Sequence, residues 1–165
     1  MSTETDRTTG AVPLPALVDP VRLREFALTG VSDGRADDVF DRFARLAAVL
    51  LSAPVSYVSL VGQDTHVLPG AAWLDRSGEQ ERTLPLARSV CAFSVATGEE
   101  TIVEDLATDP LLRDNTEMQQ MDVSSYAGYP LTTEDGHVLG TLCVMDRVPC
   151  RWTDEELAAL NPDLS

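Results

Sequence analysis

Positive charge is scarce in this chain. Twelve basic residues stand against 27 acidic ones, a formal net charge of −15, and no basic run occurs. Nucleic acids and anionic lipid surfaces are held by arginine and lysine, so no nucleic acid and no membrane is expected as a partner. No apolar run approaches the roughly 20 residues of a membrane-spanning helix. The N-terminal stretch MSTETDRTTGAVPLPALVD has no apolar segment of the signal-peptide kind, and the few cysteines, odd in number, suit a reducing cytoplasm. Cysteine is sparse too: Cys91, Cys143 and Cys150 are an odd number at no metal-like spacing, which argues against a disulfide framework and a zinc site. The two histidines, His66 and His137, both fall in segments that read as turns.

What remains is enough for one domain. A chain of 165 residues buries roughly 70% of its unfolded surface without help from metals or disulfides. Residues 1–18, with Thr, Ser, Gly and Pro and little periodicity, read as a disordered leader. Asp19-Pro20 supplies an N-cap and a first-turn proline for a helix within 19–30, with Leu23, Phe26 and Ala27 on its apolar face and Gly30 as its stop. In DDVFDRFARLAAVLLS, residues Val39, Phe40, Phe43, Leu46, Ala47, Leu50 and Leu51 recur at three- and four-residue steps. That spacing predicts a helix with one broad apolar face.

VSYVSLV (55–61) predicts a strand, and HVLPGAAWL a second one in which Pro69 marks an edge or a bulge. DRSGEQERT (75–83) reads as a polar loop. RSVCAFSVATGE predicts a helix ending at Gly98, ETIVED a short strand, and Asp109-Pro110 another helical turn. SSYAGYPL (124–131) and VLGTLCVMD (138–146) predict strands joined through the Asp135-Gly136 hairpin signal. Trp152, Thr153, Glu156 and Leu157 have the spacing of a capping box with a hydrophobic staple. This order predicts an α+β domain over 37–161, an antiparallel sheet covered by helices.

FDRFARLAAVLLSAPVSYVSLVGQD, SVCAFSVATGEETIVEDLATDPLLRDN and SSYAGYPLTTEDGHVLGTLCVMD, closed by RWTDEEL, together resemble a GAF domain from Asp37 to Leu160. The resemblance implies a central antiparallel sheet of five or six strands, with the first and last helices on one face. The middle helices and loops on the other face would enclose a small-molecule pocket. It also implies a sensory or regulatory domain in signal transduction, without catalysis of its own, acting on an effector domain or a protein partner. A homodimer is expected through Leu23, Phe26 and the exposed edge of 37–51, or through the final helix, because a helix as short as 20–29 is marginal unless it packs on something.

GAF domains take cyclic nucleotides, haem, bilins and other small ligands. The Asn-Lys-Phe-Asp-Glu signature of the cyclic-nucleotide-binding members cannot be traced here, and no histidine sits in the middle helical region for haem or bilin. All three are disfavoured, and the ligand stays unidentified. Cys91 reads first as a small buried core residue, the usual fate of a free cysteine. GAF-like free-methionine-sulfoxide reductases carry a cysteine in a comparable stretch, but a reductase needs a second thiol within reach. The segment after Cys91 has none, and Cys143 lies on a core strand. A thiol enzyme is therefore the minor alternative, and an interaction or dimerisation module with no ligand is the other.

The implied pocket lies between the sheet and 89–121. Trp73, Val90, Phe93, Leu111, Met118, Met121 and Tyr126 are its lining candidates; Ser89, Asp105 and Arg113 are possible polar handles beside Cys91, and 110–123 is a lid. Tyr126 and Tyr129 point to opposite faces of one strand, so only one can line it. Asp105 and Asp109 are also expected to hold backbone N–H groups locally. No metal site is expected.

Overall fold

The computed structural model describes residues 19–30, 36–63, 65–73, 82–85, 90–110, 112–115, 118–119 and 122–160. The expected leader at 1–18 and most of the 75–83 loop lie outside them. Two helices come first, α1 (Pro20–Leu28) and α2 (Asp38–Leu50), then strands β1 (Val55–Val61), β2 (Thr65–Trp73) and β3 (Thr83–Pro85). Helix α3 (Val90–Thr97), strand β4 (Thr101–Val103) and a single 3₁₀ turn at Leu106–Thr108 follow. Strands β5 (Ser125–Thr132) and β6 (Val138–Asp146) and helix α4 (Asp154–Leu160) complete the domain. The six strands form one sheet in the order β3-β2-β1-β6-β5-β4, with every neighbouring pair antiparallel.

Most elements fall where the sequence puts them, and their caps show why. The Asp19 carboxylate accepts the Val21 N–H at 3.0 Å, and Asp37 accepts those of Val39 and Phe40 at 2.9 and 3.1 Å. At α4 the box closes both ways: Thr153 N–H donates to Glu156 at 2.9 Å and Glu156 N–H to the Thr153 hydroxyl at 3.1 Å. Trp152 is buried beneath it. Gly136 takes φ +89° in the β5–β6 hairpin, a conformation that L side chains rarely adopt.

Strand β3 corrects the polar-loop reading at Thr83. Its three residues pair with Thr65, His66 and Val67 of β2, too short a run to show a period of two. Between Val58 and Leu60 the β1–β2 register shifts, so that Leu68 and Pro69 share the space opposite Ser59. This bulge is what Pro69 announces. Beyond it His66 and Leu68, then Ala71 and Trp73, belong to one face of the sheet, whereas Ala72 belongs to the other.

The helices depart most from expectation in which faces they bury. In α2 the buried residues are Ala44, Ala47 and Ala48, followed by Leu51, while Val39, Phe43, Leu46, Val49 and Leu50 are each more than half exposed. The reason is close approach. A Cβ on Gly70 would collide with the backbone carbonyl of Phe40, so the helix rides directly on β2 and only small side chains fit beneath it. Asp37 N–H donates to Pro69 O at 2.7 Å, and the Asp41 carboxylate accepts Ala71 N–H at 2.9 Å. In α1 the buried residue is Arg22, and Ala27 is exposed. The Arg22 guanidinium donates to Val61 O at 2.6 Å and Gly62 O at 3.2 Å, anchoring the helix over the end of β1.

Two cores result. Ala47, Leu51, Ala53, Ala127, Tyr129, Val144, Trp152 and Leu160 pack α2 and α4 on one face of the sheet. On the other face α3, the 3₁₀ turn, Leu112 and Met118 cover Tyr57, Tyr126, Cys143 and Met145.

Candidate functional site

The second face carries an unusual amount of buried polarity. Its scaffold is three central strands: Thr141 lies opposite Ser59 and Pro130, and Cys143 lies opposite Tyr57 and Gly128. Ser59, His66, Ser94 and Thr141 are all fully buried there, beside Cys91 and Tyr126. Each needs a partner, since an unpaired buried hydroxyl costs about 1–3 kcal/mol. Ser59 Oγ and His66 Nδ1 satisfy each other at 2.9 Å, and Ser94 meets the Thr101 hydroxyl at 3.3 Å. Thr141 Oγ1 meets no nitrogen or oxygen partner among the described residues; its one polar neighbour there is the Cys91 sulfur, a weak acceptor.

Cys91 stands in the first turn of α3, with its sulfur 3.5 Å from the Tyr126 hydroxyl. The Tyr126 phenol stands against Gly128, where any Cβ would press on its hydroxyl at 2.5 Å. Gly128 is the register partner of Cys143, so the phenol bridges the two cysteines. The Cys143 thiol has two acceptors in reach, Tyr57 O at 3.5 Å and the Cys91 sulfur. The neighbouring Cys143, and after it His66 and Thr141, hold Cys91 well below the usual thiol range against the opposing effect of burial. Burial, and then the adjacent Cys91, push Cys143 well above it. Burial likewise pushes the Tyr126 phenol up, with Cys91 adding to the effect.

The structure therefore brings together Cys91, Tyr126 and Met118, all buried in one cluster, with Trp73 packed against it from the sheet edge. Tyr129 joins the opposite core, as strand alternation requires. Asp105 is occupied locally, accepting the Ala107 N–H at 3.1 Å, and Asp109 caps Leu112 at 3.0 Å. Arg113 is exposed beside Asp114. The backbones of Val90 and Phe93 belong to α3, but their side chains lie outside the described set, as do Ser89, Leu111 and Met121 altogether.

Two sequence inferences need correction. Cys91 does have a second thiol within reach, because β6 carries Cys143 under α3; distance along the chain is a poor guide once a strand returns to the centre of a sheet. His66 is fully buried on β2, where it pairs with Val61 across the ladder. The alternation of Val55, Tyr57, Ser59 and Val61, carried through the tight connection to Thr65, was the signal for it. Ser59 and Thr141, also missed, follow from the same alternation.

A separate groove of about 440 Å³ runs between α2 and the end of β2, lined by Asp38, Asp41, Arg42, Arg45, Ala71, Ala72 and Trp73. Arg82 borders it, 2.9 Å from Asp41 and stacked 5.8 Å over the Trp73 ring.

The GAF domain model matches residues 35–161, most of the chain. The chain belongs to the GAF domain family. A cyclic di-GMP phosphodiesterase of Pseudomonas aeruginosa is 31% identical over 121 residues, covering 73% of this chain. The chain spans only 20% of that relative's length. Among solved structures, the blue-light-absorbing form of the Thermosynechococcus elongatus PixJ GAF domain superposes with a TM-score of 0.61 at 11% identity, covering 87% of this chain and 82% of that one. A type II free methionine-R-sulfoxide reductase from Thermoplasma acidophilum superposes with a TM-score of 0.58 at 12% identity, covering 76% and 84%. At these identities the two likenesses establish the fold. GAF membership confirms the α+β architecture with helices on both faces of an antiparallel sheet.

Proposed function

We propose that this GAF domain is a sensor: it takes a small, largely uncharged molecule on the sheet face beneath α3 and communicates its presence to an effector domain or protein partner. The observation that carries this reading is the Thr141 hydroxyl, fully buried with no nitrogen or oxygen partner among the described residues and only the Cys91 sulfur, a weak acceptor, beside it. A domain built only for packing gains nothing from an unsatisfied polar atom at the centre of its sheet, whereas a ligand group can pair with it. The surroundings set the ligand class. Cys91, Met118, Tyr126, Leu112 and Val95 offer apolar surface, and the nearby polar groups are hydroxyls, thiols and one imidazole. The phosphodiesterase relative supports a regulatory role, since only a fifth of that protein matches this domain. In this reading catalysis belongs elsewhere.

The dimer belongs to the same proposal. Val39, Phe43, Leu46 and Leu50 follow the 4-3-4 spacing of a helix-pairing seam, and α2 leaves that seam exposed. Two copies joined along α2 would give the sensor a route to a partner through helices already tied to β2.

Thermal-shift screening of small metabolites, paired with mass spectrometry of whatever copurifies under native conditions, tests the sensor reading. A ligand at a hundredfold excess over its dissociation constant adds about 2.7 kcal/mol of stability. Thr141→Val should remove most of that shift. A hit whose shift survives unchanged in Thr141→Val would place the site elsewhere, and a protein that copurifies empty and shifts with nothing would favour the interaction module.

A further inference from the structure

The cysteines of the buried cluster form a site that the sensor reading does not use. The geometry points to Cys91 and Cys143 as a reactive dithiol that hydroperoxides oxidise to an intramolecular disulfide joining α3 to β6. Three features carry this. Cys91 and Cys143 share one buried cluster: Cys91 is 3.5 Å from the Tyr126 hydroxyl, and the Tyr126 phenol stands against Gly128, the register partner of Cys143. They are unequally placed: Cys91 lies in the first turn of α3 beside the Tyr126 hydroxyl, while Cys143 on β6 donates to the Tyr57 carbonyl at 3.5 Å. The third cysteine, Cys150, belongs to the opposite core and cannot compete for either.

That inequality divides the labour of a dithiol reaction. The neighbours that favour the thiolate at Cys91 make it the attacking sulfur, and burial keeps Cys143 protonated as the resolving thiol. The Cys91 thiolate attacks one peroxide oxygen and breaks the O–O bond. This gives the sulfenic acid at Cys91 and expels the other oxygen, which takes up a proton and leaves as water or alcohol. The Cys143 sulfur then attacks Cys91, the S–O bond breaks, and the departing hydroxide takes the Cys143 proton to leave as water. Two thiols and one hydroperoxide thus yield one disulfide, one alcohol or water, and one further water; the two electrons come from the sulfur pair. Both sulfurs are shielded in the closed fold, so the reaction proceeds through local opening of α3 and the 3₁₀ turn, which favours the smallest oxidants.

The inference stands independently of whether this face holds a ligand. Its test is a thiol count on the full chain, folded and fully reduced, after exposure to excess hydrogen peroxide, quenching and denaturation. The three free thiols should fall to one. Peptide mapping under non-reducing conditions should recover a species linking the segments around Cys91 and Cys143, with Cys150 still alkylatable. Cys143→Ser should halt at a sulfenic acid on Cys91 that dimedone traps, and Cys91→Ser should leave Cys143 unreacted; circular dichroism confirms that each variant is folded. The inference is overturned if all three thiols survive peroxide in the folded wild-type protein but react once it is unfolded. It is equally overturned if Cys91 runs on to sulfinic acid with Cys143 untouched, or if the recovered link involves Cys150.

Discussion

Replacing Thr141 by valine separates the cost of its hydroxyl from everything else at that position. The two side chains share a shape and a χ1 preference, so the strand and its pairing with Ser59 and Pro130 are preserved. The perturbation is the exchange of one buried Oγ1, which has only the weakly accepting Cys91 sulfur beside it, for a methyl group. An unsatisfied buried hydroxyl costs about 1–3 kcal/mol. Some of that gain is lost, because the bulkier methyl must fit beside Cys91. The ligand-free protein should therefore become more stable by roughly 1–2 kcal/mol, which for a domain of this size raises Tm by roughly 2–8 °C. Ser59→Ala is the control of opposite sign: it strips His66 of its 2.9 Å partner and should destabilise by about 1–3 kcal/mol. Both are read by thermal and urea unfolding of the reduced protein with copurifying small molecules removed. If Thr141→Val instead lowers Tm, the hydroxyl is satisfied in the native state, and the argument for a ligand handle falls with it.

Gly70→Ala should cost about 3 kcal/mol or more, seen as a large drop in the urea midpoint, because its Cβ meets the Phe40 carbonyl and α2 must lift off β2. Arg22→Met keeps most of the side chain's bulk but leaves the Val61 and Gly62 carbonyls without their donor; a loss of about 2–4 kcal/mol is expected, and no loss would mean that α1 is anchored some other way. Phe43→Glu on the exposed seam should convert a dimer to a monomer in light scattering while changing the stability of the monomer by less than about 1 kcal/mol. A wild-type protein that is already monomeric at high micromolar concentration would remove the case for pairing along α2.

Local signals made most of the fold legible. The box at Thr153 and Glu156, the hairpin at Asp135-Gly136, the cap at Asp37 and the bulge at Pro69 are each decided within a few residues. What could not be read is which surface a helix turns toward the sheet. In α2 the larger apolar residues dominate the periodicity, yet the alanines are buried, because the separation of helix and sheet is fixed by Gly70, some twenty residues further along the chain. Arg22 escaped for a similar reason: its acceptors are backbone carbonyls, which leave no mark in a sequence. At the candidate site, Cys91, Met118 and Tyr126 were within reach of pattern reading, whereas Cys143, His66, Ser59 and Thr141 required the pairing of three strands. Buried polar clusters are assembled by register, and register between distant strands is a global property.

The bulge at Leu68 and Pro69 sets a rule for how this domain tolerates changes in length. Upstream of it, alternate residues of β2 face the buried cysteines; downstream the parity is reversed, so that Gly70 and Ala72 meet α2 while Ala71 and Trp73 turn the other way. Deleting Leu68 or Pro69 would straighten the strand yet keep Val67 opposite Leu60 and Gly70 opposite Val58, so both faces would survive; a deletion elsewhere in β2 would exchange them. Deleting Ala72, for example, would drive Trp73 toward the alanine surface of α2. Loop insertions between elements leave this arrangement intact and the bulge can lose its extra residue, but elsewhere inside β2 a change of one residue in length would turn part of the strand's side chains to the wrong face.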